Sequence, residues 1–98
     1  MTTVVITFAE SGIRDLEDIQ AWYANESVPE VGRRLVSEIL ERIEMLRIHP
    51  DMGRTVPEFG QKHLRELIHP PFRIVYKRED KKVRVVRIWR SERLLGKP

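Results

Sequence analysis

Arginines recur through the second half of the chain at 54, 65, 73, 78, 84, 87, 90 and 93, and the three histidines stand at 49, 63 and 69. Cleavage of RNA at a 2′-hydroxyl needs a base, an acid and cations facing the charge that builds on phosphate. Arg65, Arg73 and Arg90 have the type to supply the cations, and His63, His69 or Glu66 the proton transfers. The spacing is selective among these. Alternation along a strand puts His63, Arg65 and Leu67 on one face and Leu64, Glu66 and Ile68 on the other. His63 shares the face of Arg65, which is the one attractive pairing. His49 and His69 each precede a proline and read as structural punctuation.

Other chemistries are excluded early. The absence of cysteine removes disulfides, thiol catalysis and thiolate zinc sites. The histidines form no i,i+4 helical pair and join no carboxylate cluster, so no metal site is expected. There is no glycine-rich phosphate loop, and no cofactor is expected. No apolar run approaches the ~20 residues of a membrane span. The chain is expected to be soluble and cytoplasmic, with no membrane partner.

The elements that must position these residues follow from periodicity. Leu64/Ile68, then Phe72/Ile74/Tyr76, then Val83/Val85 with Trp89 predict three strands. Glu79–Lys82 joins the last two as a hairpin, while His69-Pro70-Pro71 separates the first two. Thr3–Phe8 is a further short β-branched run, expected to complete a four-stranded sheet. Between lie two helices. The first carries Ile13, Leu16, Ile19 and Trp22/Tyr23 on one stripe, with Ser11 as its expected cap. The second carries Val31, Leu35, Ile39, Ile43 and Leu46 and opens with Ser27-Val28-Pro29-Glu30, a capping-box pattern. Gly32 there costs about 1 kcal/mol relative to alanine and suggests close approach of the first helix. Residues 49–63 form an irregular connection. The expectation is one α+β domain over residues 1–98: β-α-α-β-β-β, a helical hairpin on a four-stranded, mainly antiparallel sheet.

Charge is divided between the halves. Residues 61–98 hold 12 Lys and Arg against 4 Asp and Glu, and residues 1–60 hold 6 against 11. Such polarity suits an anionic partner, nucleic acid or an acidic protein segment. The competing reading pairs the strand arginines with the acidic helices of the same chain. Trp22 and Tyr23 read as packing, Trp89 beside Arg90 as a candidate partner contact. Arg54 is expected to tie its loop to a helix carboxylate.

These residues resemble the RelE/ParE toxins of bacterial type II toxin–antitoxin systems, and the ParE-like, plasmid-stabilisation branch in particular. The resemblance rests on Asp15-Leu16-x-x-Ile19 and Tyr23, then Gly53-Arg54-x-Val56-Pro57-Glu58. It continues through Leu64-Arg65-Glu66-Leu67, Phe72-Arg73-Ile74-Val75-Tyr76 and Val85-Val86-x-Ile88-Trp89-Arg90. It implies a small toxin neutralised by a co-encoded ParD-like antitoxin, with which it forms a hetero-oligomer. ParE-type members are associated with poisoning of DNA gyrase. RelE-type members cut mRNA on the ribosome with basic sheet residues and an aromatic or histidine near the C-terminus. Arg65, Arg73 and Arg90 match the basic positions, with His63 beside them, but the chain ends SERLLGKP without that tyrosine or histidine. A non-enzymatic inhibitor is therefore expected. The antitoxin is expected to meet Arg65, Arg73, Arg87, Trp89, Arg90 and Arg93. Its acidic residues would lie over Arg65, Arg73 and Arg90, and Lys81 and Lys82 would be peripheral.

Overall fold

The computed structural model describes residues 3–91. Strand β1 (Val5–Phe8) leads into α1 (Glu10–Asn25) and α2 (Pro29–Glu44), the latter continued by a 3₁₀ turn at Met45–Arg47. Strands β2 (Arg54–Thr55), β3 (Leu64–His69), β4 (Phe72–Arg78) and β5 (Lys82–Arg90) follow. They form one sheet in the order β1-β5-β4-β3-β2. It has five strands where four were expected. The addition is β2, whose Arg54 and Thr55 pair antiparallel with Glu66 and Arg65. Two residues are too few to show alternation in a sequence. The β3-β4-β5 meander is antiparallel as anticipated, and β1 joins β5 in parallel. The Pro70–Pro71 peptide between β3 and β4 is cis.

Both helices start differently from expectation. Helix α1 begins at Glu10 with Ala9 at its cap, and no side chain caps it. The Ser11 hydroxyl instead donates to the Val86 carbonyl at 2.6 Å. Helix α2 has its proline in the first turn, but its cap is Val28, again without a side-chain bond. Ser27 takes a left-handed conformation, φ 65°, and the Val28 amide bonds the Tyr23 carbonyl at 2.9 Å. The backbone itself thus closes the link between the helices, so the serine has no capping task.

The helical hairpin covers one face of the sheet. Ile39, Ile43 and Leu46 bury against Phe72, Ile74, Tyr76, Val83 and Val85. An added Cβ at Gly32 would lie 3.0 Å from the Tyr23 Cβ, so that glycine does permit close helix approach. On the opposite face Val56 from the 49–63 connection packs on Val75, with Leu64, Val86 and Trp89 around them. The connection therefore covers part of the sheet face away from the helices.

Helix α1 also closes an edge. Strand β1 pairs with Lys82–Val85 only, which leaves the far half of β5 without a strand on the side away from β4. There the Ser11 hydroxyl donates to the Val86 carbonyl, and the Asp15 Oδ2 accepts from the Ile88 amide at 2.8 Å. A β-bulge between Val75 and Tyr76, opposite Val85–Arg87, falls where the helix takes over from the strand. Unpaired edge groups would otherwise invite foreign strands.

Candidate functional site

The sheet face away from the helices carries the most deeply buried of the arginines that the sequence singles out. Arg73 sits there in β4, only 4% exposed. Its Nε donates to Glu66 Oε1 at 2.7 Å, and its two terminal nitrogens donate to both Glu58 oxygens at 2.8 and 2.9 Å. Glu66, 1% exposed, takes Arg54 Nε on its other oxygen at 2.7 Å. Four charges thus alternate in a chain, Arg54–Glu66–Arg73–Glu58, that clasps the 49–63 connection to the sheet. The hydrogen bonds that it donates to Glu58, against the effect of burial, hold the Arg73 guanidinium above its ordinary pKa. Arg54 does tie its loop down, but to a strand carboxylate rather than a helix one.

Arg65 points to the helix-side layer, as alternation requires. Its guanidinium donates to the Gly53 carbonyl at 2.8 Å and the Asp51 carbonyl at 3.3 Å. It holds the same connection from the other face. His63 is exposed just before β3, and among the described residues it makes no side-chain hydrogen bond. His69 Nε2 lies 3.2 Å from Glu38 Oε1 on α2, a link between layers.

Arg87 pairs with Asp15 through two hydrogen bonds of 2.8 and 3.2 Å and stacks on Trp89 at 4.6 Å. Arg90 lies over Trp22 at 5.1 Å and over Phe72 at 5.6 Å. Trp22 was expected to be packing, yet it is 50% exposed and meets Tyr23 edge-on at 4.8 Å. Together these side chains line a groove of about 290 Å³ between α1 and the end of β5, with Asp18 on its rim. Arg93 lies outside the described residues.

The candidate catalytic set therefore does not converge. Arg65 and Arg73 project from opposite faces of the sheet, Arg90 lies against α1, and His63 stands apart from all three. Among the described residues no group of three His, Cys, Asp or Glu could hold a metal. Sequence reasoning missed Glu58 and Glu66 as the partners of Arg73. Ile68 pairs with Arg73 across the β3–β4 turn, so Glu66 is its diagonal neighbour on the same face, a placement set by register and not by local pattern.

A family model described as "ParE toxin of type II toxin-antitoxin system, parDE" matches residues 6–95. A search of curated proteins found no match. Among solved structures, a chain of the "Chromosomal ParDE TA system from P. aeruginosa" superposes with a TM-score of 0.76 at 22% identity. The alignment covers 90% of this chain and 96% of that one.

Proposed function

The chain belongs to the ParE toxin family of type II toxin–antitoxin systems, and from that premise we propose that it inhibits growth by binding, without chemistry of its own. Its target on this reading is DNA gyrase, and a co-encoded ParD-like antitoxin neutralises it as a hetero-oligomer in the cytoplasm. One observation supports binding over RNA cleavage. The cations that a nuclease would aim at phosphate are held internally, Arg73 by Glu58 and Glu66 and Arg65 by loop carbonyls. No helix among the described residues is long and apolar enough to cross a membrane. Induced expression is expected to provoke a DNA-damage response and filamentous cells while mRNA stays intact. Codon-linked mRNA cleavage within minutes of induction, without DNA damage, would overturn this in favour of a ribosome-dependent endoribonuclease.

Of the positions expected to meet the antitoxin, Arg87, Trp89 and Arg90 lie along the α1–β5 groove. That groove, with the exposed Trp22, suits an apolar anchor flanked by a carboxylate. Arg90→Glu is expected to weaken antitoxin binding at least tenfold in calorimetric titration, and Lys81→Glu to leave it within twofold. Equal affinities for wild type and Arg90→Glu would place the antitoxin elsewhere.

A further inference from the structure

The strand-borne cations divide sharply by whether the protein has already satisfied them. Arg54 and Arg73 hold carboxylates, Arg65 holds carbonyls, and Arg87 holds Asp15. Arg78 holds Asp51 at 2.9 Å, Lys82 lies 3.7 Å from Glu79, and Arg90 rests on two rings. Lys77 and Arg84 are the strand cations left, among the described residues, without an ion pair or side-chain hydrogen bond. They are also directly opposite one another in the β4–β5 ladder. Both are exposed and both lie on the face away from the helices, since their neighbours Tyr76, Val83 and Val85 are buried on the helix side.

Like charges in directly facing positions destabilise a sheet. A protein that pairs its other strand cations and leaves two of one sign face to face has a surface better matched to an external anion than to itself. We propose that Lys77 and Arg84 form a docking surface for the phosphate backbone of duplex DNA. The geometry selects the duplex over a single strand. Sequence-tolerant binding of single strands uses aromatic rings on which bases stack. Trp89, the ring that β5 itself places on this face, lies five residues along β5 from Arg84, roughly 16 Å away, and Arg87 already covers it. Beside the pair in the ladder stand Leu64 and Thr7, neither of them aromatic, which fits contacts that neutralise phosphates without reading bases. The inference goes beyond the gyrase reading and does not need it, because it concerns DNA and this chain alone.

The test is fluorescence anisotropy of a labelled 20-base-pair duplex with the purified full-length chain, over a series of salt concentrations. Each phosphate contact contributes about 0.9 to the slope of log K against log salt. Lys77→Thr/Arg84→Thr is expected to weaken binding at least tenfold at low salt and to lower that slope by about 1.8. Arg14→Ser/Arg33→Ser removes the same net charge from the helices and is expected to leave the slope unchanged. An equal loss in both double variants would reduce the effect to net charge and overturn the site. Tighter binding of a single-stranded RNA of equal length would overturn the duplex assignment. So would displacement of the duplex by poly-glutamate at equal charge concentration, which would point to an acidic polypeptide instead. Melting followed by circular dichroism checks that each variant is folded, and both Thr positions are exposed strand sites where β-branched residues fit.

Discussion

Tyr76 is the residue on which the connection from 49 to 63 hangs. Its buried hydroxyl donates to the Pro50 carbonyl at 2.8 Å and accepts the Gly53 amide at 3.0 Å. Gly53 has no room for a side chain: an added Cβ would come within 2.7 Å of the Glu66 carbonyl and of that hydroxyl. Tyr76→Phe strands the buried Gly53 amide and should cost about 1–3 kcal/mol in urea denaturation, a typical penalty for an unmet buried donor. Burial pushes the phenol pKa up, against the opposing Gly53 hydrogen bond. The unfolded chain then ionises first, near pH 10, and binds fewer protons than the native state above that point. The tyrosine's contribution is thus complete below pH 10 and is lost as pH rises through the higher folded value. Tyr76→Phe should flatten that alkaline decline. Arg73 acts at the same scale with higher stakes. Arg73→Ala leaves Glu66 buried with one partner fewer and should cost about 3–5 kcal/mol, as breaking buried ion pairs does. For that reason a charge reversal at Arg73 reports on folding before it reports on any partner.

The first helix is the element whose task changes most once its packing is seen. Its stripe of Leu16, Ile19 and Tyr23 faces the core, but its first turns serve as a substitute strand along β5. Gly12 lets it come that close, since an added Cβ would sit 2.8 Å from the Val85 carbonyl. That neighbour is backbone and cannot swing aside. Gly12→Ala should therefore destabilise by about 1–3 kcal/mol, the usual cost of overpacking, despite the gain of about 1 kcal/mol in helix propensity. A calorimetric melt decides, and an unchanged or higher Tm would show that the helix can shift outward. The β4–β5 ladder gives the opposite expectation. Lys77→Thr removes a like-charge facing pair and should raise stability by a few tenths of a kcal/mol, most clearly at low salt. A loss of stability there would mean that Lys77 has a structural partner.

At the scale of the whole molecule, part of the cation excess in residues 61–98 is absorbed within the chain. Asp15, Asp51, Glu58 and Glu66, three of them from residues 1–60, take up five of the strand arginines. The reading in which the arginines pair with acidic groups of the same chain thus accounts for most of them, although loop and strand carboxylates contribute more than helices do. The helical hairpin, the meander and the packing role of Gly32 were legible in the sequence, as was the element order apart from β2; the second helix ends at Glu44 and its 3₁₀ turn at Arg47, short of His49-Pro50. Each follows from local periodicity, or from a residue whose backbone has only one use. The family was legible too, because its motifs span nearly the whole chain in order. Register and proximity were not. Periodicity shows which face a side chain takes along its own strand, but not which strand lies alongside or where a loop folds back. Glu58 meets Arg73 across 15 positions and Asp15 meets Arg87 across 72, so only the tertiary structure could turn these candidate binding arginines into internal ties. By the same logic it left Lys77 and Arg84 facing each other, a pairing fixed by the hairpin register rather than by either residue's neighbours in sequence.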